Sequence, residues 1–336
     1  MSDTVQERRA GLVEVTGLGR TTGGSPAVPP RRKSQMRGFF GDAFYRFTRD
    51  WLSMAALGVL LLIILISVGA PWISSAILHT DPERFMRCPA PATPEQAQRC
   101  PEGRIAVLQP PGPNYWLGTD DVGRDSLTRL LYAGRVSLSI GFMVAAIAVT
   151  IGTVLGLIAG YFGGWLDDAI NAIVQFVLNV PGFFILVTLS IFLQPNVFVL
   201  SLILGLLSWP GTTRQVRGLV LSARNRDYVD AARVMGASTG RILFVHILPN
   251  VASVVMVTAG LDVAGAILSE SALSFLGFGV PVPLSSWGNM LSGSQDVFRS
   301  APWLVYPPGL MIFTTVLCVF LVADGLRDAF DPRLRV

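Results

Sequence analysis

The sequence predicts an all-α membrane protein with six transmembrane helices, and three observations carry that expectation. Of its 336 residues, 51% are hydrophobic and only 14% charged, whereas soluble domains carry about 25% charged residues. A hydrocarbon core about 30 Å thick takes roughly 20 apolar residues per helix. Six runs qualify, at about 51–78, 136–160, 169–193, 197–213, 251–275 and 303–323. Lys and Arg then sort by side: nine fall in residues 1–50, six in 214–250 and three in 325–336, against seven in 79–135 and one in 276–302. Basic residues accumulate on the cytoplasmic side, so both termini are expected there and residues 79–135 outside. Membrane orientation thus accounts for the net charge of +4 and the pI near 9.2. No basic patch interleaved with stacking aromatics calls for a nucleic-acid partner.

Taken in order, residues 1–36 are rich in Gly, Ser, Pro and Arg without apolar periodicity, the composition of a disordered cytoplasmic tail. Residues 37–50 mix Phe39, Phe40, Phe44, Tyr45 and Phe47 with Arg46, Arg49 and Asp50, which predicts an amphipathic helix in the membrane interface. The first apolar run begins only after fifty residues and is too long for a signal-peptide core, so it is expected to be a retained span. The external segment 79–135 carries Cys88 and Cys100 around an insert of eleven residues. On an oxidising face such a pair forms a disulfide or stays as two thiols, and spacing alone leaves both open. The segment closes on LGTDDVGRDSLTRLLYAGRVSL, Leu117 to Leu138, in which Thr119 or Asp120 caps a turn and Leu127, Leu130 and Leu131 share a helical face. Residues 136–324 form a five-span core. In its first span Gly152, Gly156 and Gly160 repeat every four residues, a face along which helices approach closely in lipid. Pro181, beside Asn179 in the next span, removes one backbone hydrogen bond and predicts a kink. Trp209-Pro210-Gly211 cuts the fourth run short. Asp262 and Glu270 fall within the fifth, where an acid costs about 2.5–3.5 kcal/mol on insertion scales and is driven toward the bundle interior or a wet cavity. With Asn179, these two acids are candidates for a solute pathway, and Glu270 has an equal claim to a structural role at the external end of its helix. Cys318 reads as a small packing residue.

Between the fourth and fifth runs lies a polar loop, 214–250, containing DYVDAARVMGASTGRILFVHILPN from Asp227 to Asn250. Asp227 predicts an N-cap and Asp230, three residues on, completes a capping box. Gly236 ends the short helix and Ser238 starts the next. Ala231 and Ala232 leave a small face beside Tyr228, Val234 and Met235, a compact knob that a groove on another protein can approach. The spacing of Asp230-Ala231-Ala232, Gly236 and Ile247-Leu248-Pro249 resembles the "EAA" loop of binding-protein-dependent ABC importer permeases, with Asp where Glu is usual. Leu117 to Leu138, WPGTTRQVRG from Trp209 to Gly218, and ESALSFLGFG from Glu270 are similar to the dipeptide, oligopeptide and nickel branch. A second departure is Ala133-Gly134, where the reverse order is expected. The resemblance runs nearly continuously from Leu117 to Phe330 and leaves out the tail and the Cys-bearing insert.

The resemblance implies a type I ABC importer permease bundle in a bacterial cytoplasmic membrane. It also implies a cytoplasmic coupling helix built on Tyr228, Asp230, Ala231, Ala232 and Gly236 that enters a cleft on an ATPase. The partners it implies are a second homologous permease, two ATPase subunits carrying ATP and Mg, and an external substrate-binding protein, all organised by the lipid bilayer. The chain's own chemistry agrees. A P-loop needs Gly-Lys-Ser/Thr after a glycine-rich turn, and the single lysine, Lys33, follows Arg32. No catalytic residues, metal or bound cofactor are therefore expected: His79 and His246 fall on opposite sides of the membrane, and Asp120, Asp121 and Asp125 lack calcium-loop spacing. An ion-coupled secondary transporter using Asp262 is the alternative class, although no internal repeat supports it. Nickel in place of peptide is the alternative solute.

Overall fold

The computed structural model describes residues 39–90, 93–193, 196–292, 294 and 296–330. The tail expected over residues 1–36 lies outside them. Helix α1, Phe39–Phe47, buries Ala43 and Phe47 against Leu326, Ala329 and Phe330 and leaves Phe44 70% exposed. The expected interfacial helix is therefore also held by protein on its inner face. Asp50 then caps α2, Trp51–Val68, accepting from the Leu52 and Ser53 amides at 3.2 and 3.3 Å. After Gly69 the chain continues in helical turns through Leu78 and stops at His79, whose φ of 50° is left-handed.

The external segment folds on itself. Isolated bridges pair Phe85 with Arg124 and Arg87 with Ile105, and Cys88 and Cys100 are joined in a disulfide around the short helix α3, Pro94–Arg99. Cys88, Ala106 and Tyr115 form its small core, and the Tyr115 hydroxyl donates to the Arg87 carbonyl at 2.6 Å.

Helix α4, Ser126–Phe162, has 37 residues and corrects the boundary expected at 136. Asp125 takes the Thr128 amide at 2.7 Å and so starts the helix ten residues early. At 1.5 Å per residue the helix is about 55 Å long, well beyond the hydrocarbon core. The kinked span expected over 169–193 is two helices, α5, Gly164–Asn179, and α6, Gly182–Leu193, bent by 76° where Val180 and Pro181 interrupt them. A second correction concerns Pro210, which α7, Val197–Ala223, passes straight through. A single proline removes only its own amide donor, and the glycine face of α4 packs along this helix. A Cβ placed on Gly152, Gly156 or Gly160 would lie 2.6–2.7 Å from the Cβ of Thr212, Val216 or Val220. The offset between these partners is constant, so α4 and α7 run parallel, and the segment between them returns across the membrane. The bent pair is thus one broken crossing, and with the five unbroken helices long and apolar enough to span it gives six.

Helix α8, Asp227–Val234, follows. The next helix, α9, Thr239–Phe275, contains a π-helical stretch over Ile242–Ile247. Ser238 caps it loosely, with the Arg241 amide at 3.4 Å. The loop expected over 214–250 is accordingly shorter, since its first ten residues belong to α7 and its last twelve to α9. A short helix α10, Trp287–Leu291, opens with a capping box of Ser286 and Asn289. Helix α11, Tyr306–Phe330, then crosses back and absorbs the first half of the tail expected at 325–336. The principal core lies where α2, α4, α9 and α11 meet, around Leu60, Ile63, Ala133, Ile267, Trp287 and Val319.

Candidate functional site

The knob of the α7–α9 loop is a rigid element with one face inward and one outward. Val229 and Ala232, three apart and hence on one side of α8, are 0% and 1% exposed. They pack with Leu157 of α4, Val216 and Val220 of α7 and Ile242 and Ile247 of α9. Arg233 adds its guanidinium over the Tyr161 ring at 5.5 Å and binds Asp230 at 3.0 Å. Gly236, at φ 78°, closes the helix: Ala237 N–H reaches the Ala232 carbonyl at 3.0 Å and Gly236 N–H the Arg233 carbonyl at 2.9 Å. This pair of bonds is a Schellman cap, which requires a left-handed residue that glycine occupies without a Cβ clash.

Two expectations for this element are corrected. Arg226 occupies the N-cap position without a side-chain cap, and Asp227 and Asp230 sit in the first turn, where they complement the helix dipole but form no capping box. Ala232 belongs to the inner face. The outer face consists of Tyr228 and Ala231 with Val234 and Met235, the last two 88% and 79% exposed.

The three candidate pathway residues do not form one cluster. Asn179 is exposed at the end of α5, beside the break. Asp262 is half-buried midway along α9, and its Oδ2 accepts from Thr212 Oγ1 of α7 at 3.0 Å. Glu270 is fully buried two turns further, accepting from Ser137 Oγ of α4 at 3.2 Å and Ser274 Oγ at 2.7 Å. Ser137 in turn accepts the Trp287 amide at 3.1 Å. Glu270 is therefore a strut joining α4, α9 and α10, and its claim to line a pathway gives way to the structural one. The serines that satisfy it, like Thr212, carry no sequence signal of their own, since an isolated Ser or Thr in an apolar run looks like any small packing residue.

In the loop before α4, two acids of the LGTDDVGRD stretch, Asp120 and Asp125, are structural. Asp120 accepts from the Arg124 amide at 2.7 Å, from Arg124 Nε at 2.8 Å, and from Arg129. Among the described residues no group of three His, Cys, Asp or Glu side chains is arranged to hold a metal.

Six crossings, a parallel α4–α7 pair and a knob seated beneath them define a polytopic permease bundle of the type I ABC importer class. Its fold is that of the inward-facing MetNI methionine ABC transporter, with a TM-score of 0.51 at 17% identity over 61% of this chain and 97% of that one. The chain belongs to the family of binding-protein-dependent transport system inner membrane components, which residues 152–336 match. Residues 38–99 match the N-terminal transmembrane domain of oligopeptide transport permease C. The chain is similar to the dipeptide transport system permease protein DppC of Alkalihalophilus pseudofirmus, 36% identical over 88% of this chain and 90% of that one. It is also similar to the oligopeptide transport system permease proteins OppC of Haemophilus influenzae, 37% identical over 89% and 90%, and of Mycobacterium tuberculosis H37Rv, 41% identical over 68% and 80%.

Proposed function

We propose that this chain is the membrane subunit through which peptides cross a bacterial cytoplasmic membrane, driven by a separate ATPase that engages the outer face of α8. The observation that carries the coupling reading is the two-sidedness of α8. Behind, Val229, Ala232 and Arg233 fix it to the ends of α4, α7 and α9; in front, Val234 and Met235 are bare. Apolar side chains held out on a rigid, otherwise polar loop suit insertion into a groove of another protein. A push on α8 passes directly into three spanning helices, without slack, because the contact behind it is a packed core. Peptide as the solute is supported by the relatives named above.

The remaining parts follow from the family. An external binding protein delivers the solute, a second homologous permease completes the pathway, and two ATPase subunits bind ATP and Mg beneath it. Both termini and the α8 loop face the cytoplasm, as the Arg asymmetry requires. The test is co-purification of the ATPase subunit with tagged permease. Val234→Glu and Met235→Glu each put an unpaired carboxylate into the buried contact, at a cost of a few kcal/mol, and are expected to lower ATPase recovery at least tenfold at unchanged membrane abundance. Full recovery with both variants would overturn the coupling role.

A further inference from the structure

Asp262 stands midway along α9 and, among the described residues, has no cationic partner. Arg217 is bound to Asp167 at 2.6 Å, and Arg214 is two positions from Thr212, a spacing that turns the two side chains apart on a helix. The carboxylate is nevertheless positioned. Thr212, itself 0% exposed and wedged against Gly152, donates to Oδ2 at 3.0 Å. One turn toward the cytoplasm, Thr258 Oγ1 donates to Gln215 Oε1 at 3.1 Å, so the antiparallel seam between α7 and α9 is a ladder of two polar pairs.

The seam is also open on one side. The Cβ positions of Gly211, next to Thr212, and of Gly265, one turn from Asp262, meet no atom within 4 Å, and Gly211, Gln215 and Gly265 are exposed. One turn from Thr212 along α7 and two from Asp262 along α9, Ser208 and Ser269 line a cavity of about 410 Å³ that is otherwise mainly apolar, walled by Phe183, Leu186, Leu204 and Leu268, and reaches Gly182 at the break between α5 and α6. Open glycine backbone, two polar pairs and one acid without an ion pair thus lie together along the exposed side of the α7–α9 seam.

From this arrangement we infer that Asp262, oriented by Thr212, is a subsite for an ammonium or guanidinium group of the passing solute. An ionised acid at mid-membrane is costly unless it meets a counter-charge, and no cation among the described residues supplies one. A peptide brings its own, at its amino terminus or on a Lys or Arg side chain, and the glycines let its backbone come within hydrogen-bonding reach of the carboxylate. The inference rests on the peptide reading above.

The test uses the complete transporter with its binding protein and ATPase, and reads uptake per transporter of trialanine, trilysine and triglutamate. Asp262→Asn keeps an acceptor for Thr212 but removes the charge, whereas Asp262→Glu keeps the charge. If a side chain supplies the cation, Asp262→Asn lowers trilysine uptake about tenfold relative to the other two, the order of one partly hydrated charge pair. If the amino terminus supplies it, all three fall together. In both cases Asp262→Glu restores uptake, and Thr212→Val, which keeps shape and loses the donor, gives a smaller loss of the same pattern. Unchanged uptake in Asp262→Asn, or loss that Asp262→Glu does not restore, overturns the subsite while leaving peptide import standing. Absence of ATP-dependent uptake of any of the three by the unaltered transporter overturns both.

Discussion

Two acids eight residues apart on one helix have opposite fates, and the difference lies in what surrounds each. Glu270 is enclosed by hydroxyls from α4 and α9, the first of which also takes the Trp287 amide of α10, and is part of the packing; Asp262 has one hydroxyl and an open side. Glu270→Gln keeps most of the hydrogen-bonding capacity and is expected to change thermal stability little. Glu270→Ala leaves buried serine donors unpaired above a cavity and is expected to cost about 2–4 kcal/mol, measurable as early thermal aggregation in detergent. Equal stability of the two variants would show that the serines do not depend on the carboxylate. At Gly236 the space around the Cβ position is empty, so substitution strains only the backbone. A β-branched residue there costs about 1–2 kcal/mol, while Asn tolerates the left-handed region. Gly236→Val is therefore expected to weaken ATPase co-purification clearly more than Gly236→Asn, with neither affecting membrane insertion. The stopping role of Gly236 was legible in the sequence because only a few residues tolerate that conformation. The inward turn of Ala232 was not, because a small residue fits a docking face and a packed one equally well.

At the level of elements, the glycine-rich face of α4 was legible from its four-residue repeat, since small residues at that spacing have few uses in an apolar helix other than close packing. Its partner was not, because the matching residues Thr212, Val216 and Val220 of α7 carry no distinctive pattern beyond their own four-residue spacing. The structure makes the contact quantitative. Gly156→Ala would bring a methyl to 2.7 Å from Val216 Cβ and 2.9 Å from the Thr213 carbonyl oxygen, whereas a methyl at Gly58 of α2 meets nothing within 4 Å. Gly156→Ala is expected to lower the thermal midpoint of the purified permease measurably, overpacking of this kind costing about 1–3 kcal/mol, and Gly58→Ala to leave it unchanged. Similar midpoints for both would mean that α4 and α7 are not held at this distance. The break at Pro181 was legible as a kink, since a proline removes a backbone donor in any helix, but its 76° bend goes with the packing of α6 against α7, which no local signal encodes. Pro210 shows the converse: the same residue type, in a helix clamped along its length by α4, leaves the element intact.

For the whole molecule, the number of crossings decides which surfaces face which compartment, and it turns on the broken pair α5–α6. Were that pair a re-entrant loop entering and leaving on one side, the chain would cross five times and its two ends would fall in different compartments. The parallel register of α4 and α7 argues against this, as does the meeting of their C-terminal ends, where Arg224 Nη1 donates to the Gly160 carbonyl at 3.1 Å. A helix and its parallel successor start on the same side only if the chain between them has travelled the full thickness. The orientation proposed from the Arg asymmetry puts the α8 loop in the cytoplasm and the disulfide-bearing segment outside, the compartment in which a bridge between Cys88 and Cys100 persists. With those two cysteines bonded and Cys318 buried, single cysteines can report the arrangement in intact cells. Asn196→Cys, between α6 and α7, and Arg299→Cys, between α10 and α11, are expected to react with a membrane-impermeant maleimide added outside. Asp168→Cys at the start of α5 and Arg241→Cys at the start of α9 are expected to react only after permeabilisation. Labelling of Asn196→Cys solely in permeabilised cells, alongside Asp168→Cys, would make α5–α6 re-entrant and reduce the crossings to five. Labelling of Arg241→Cys from outside would invert the molecule and remove α8 from any cytoplasmic ATPase.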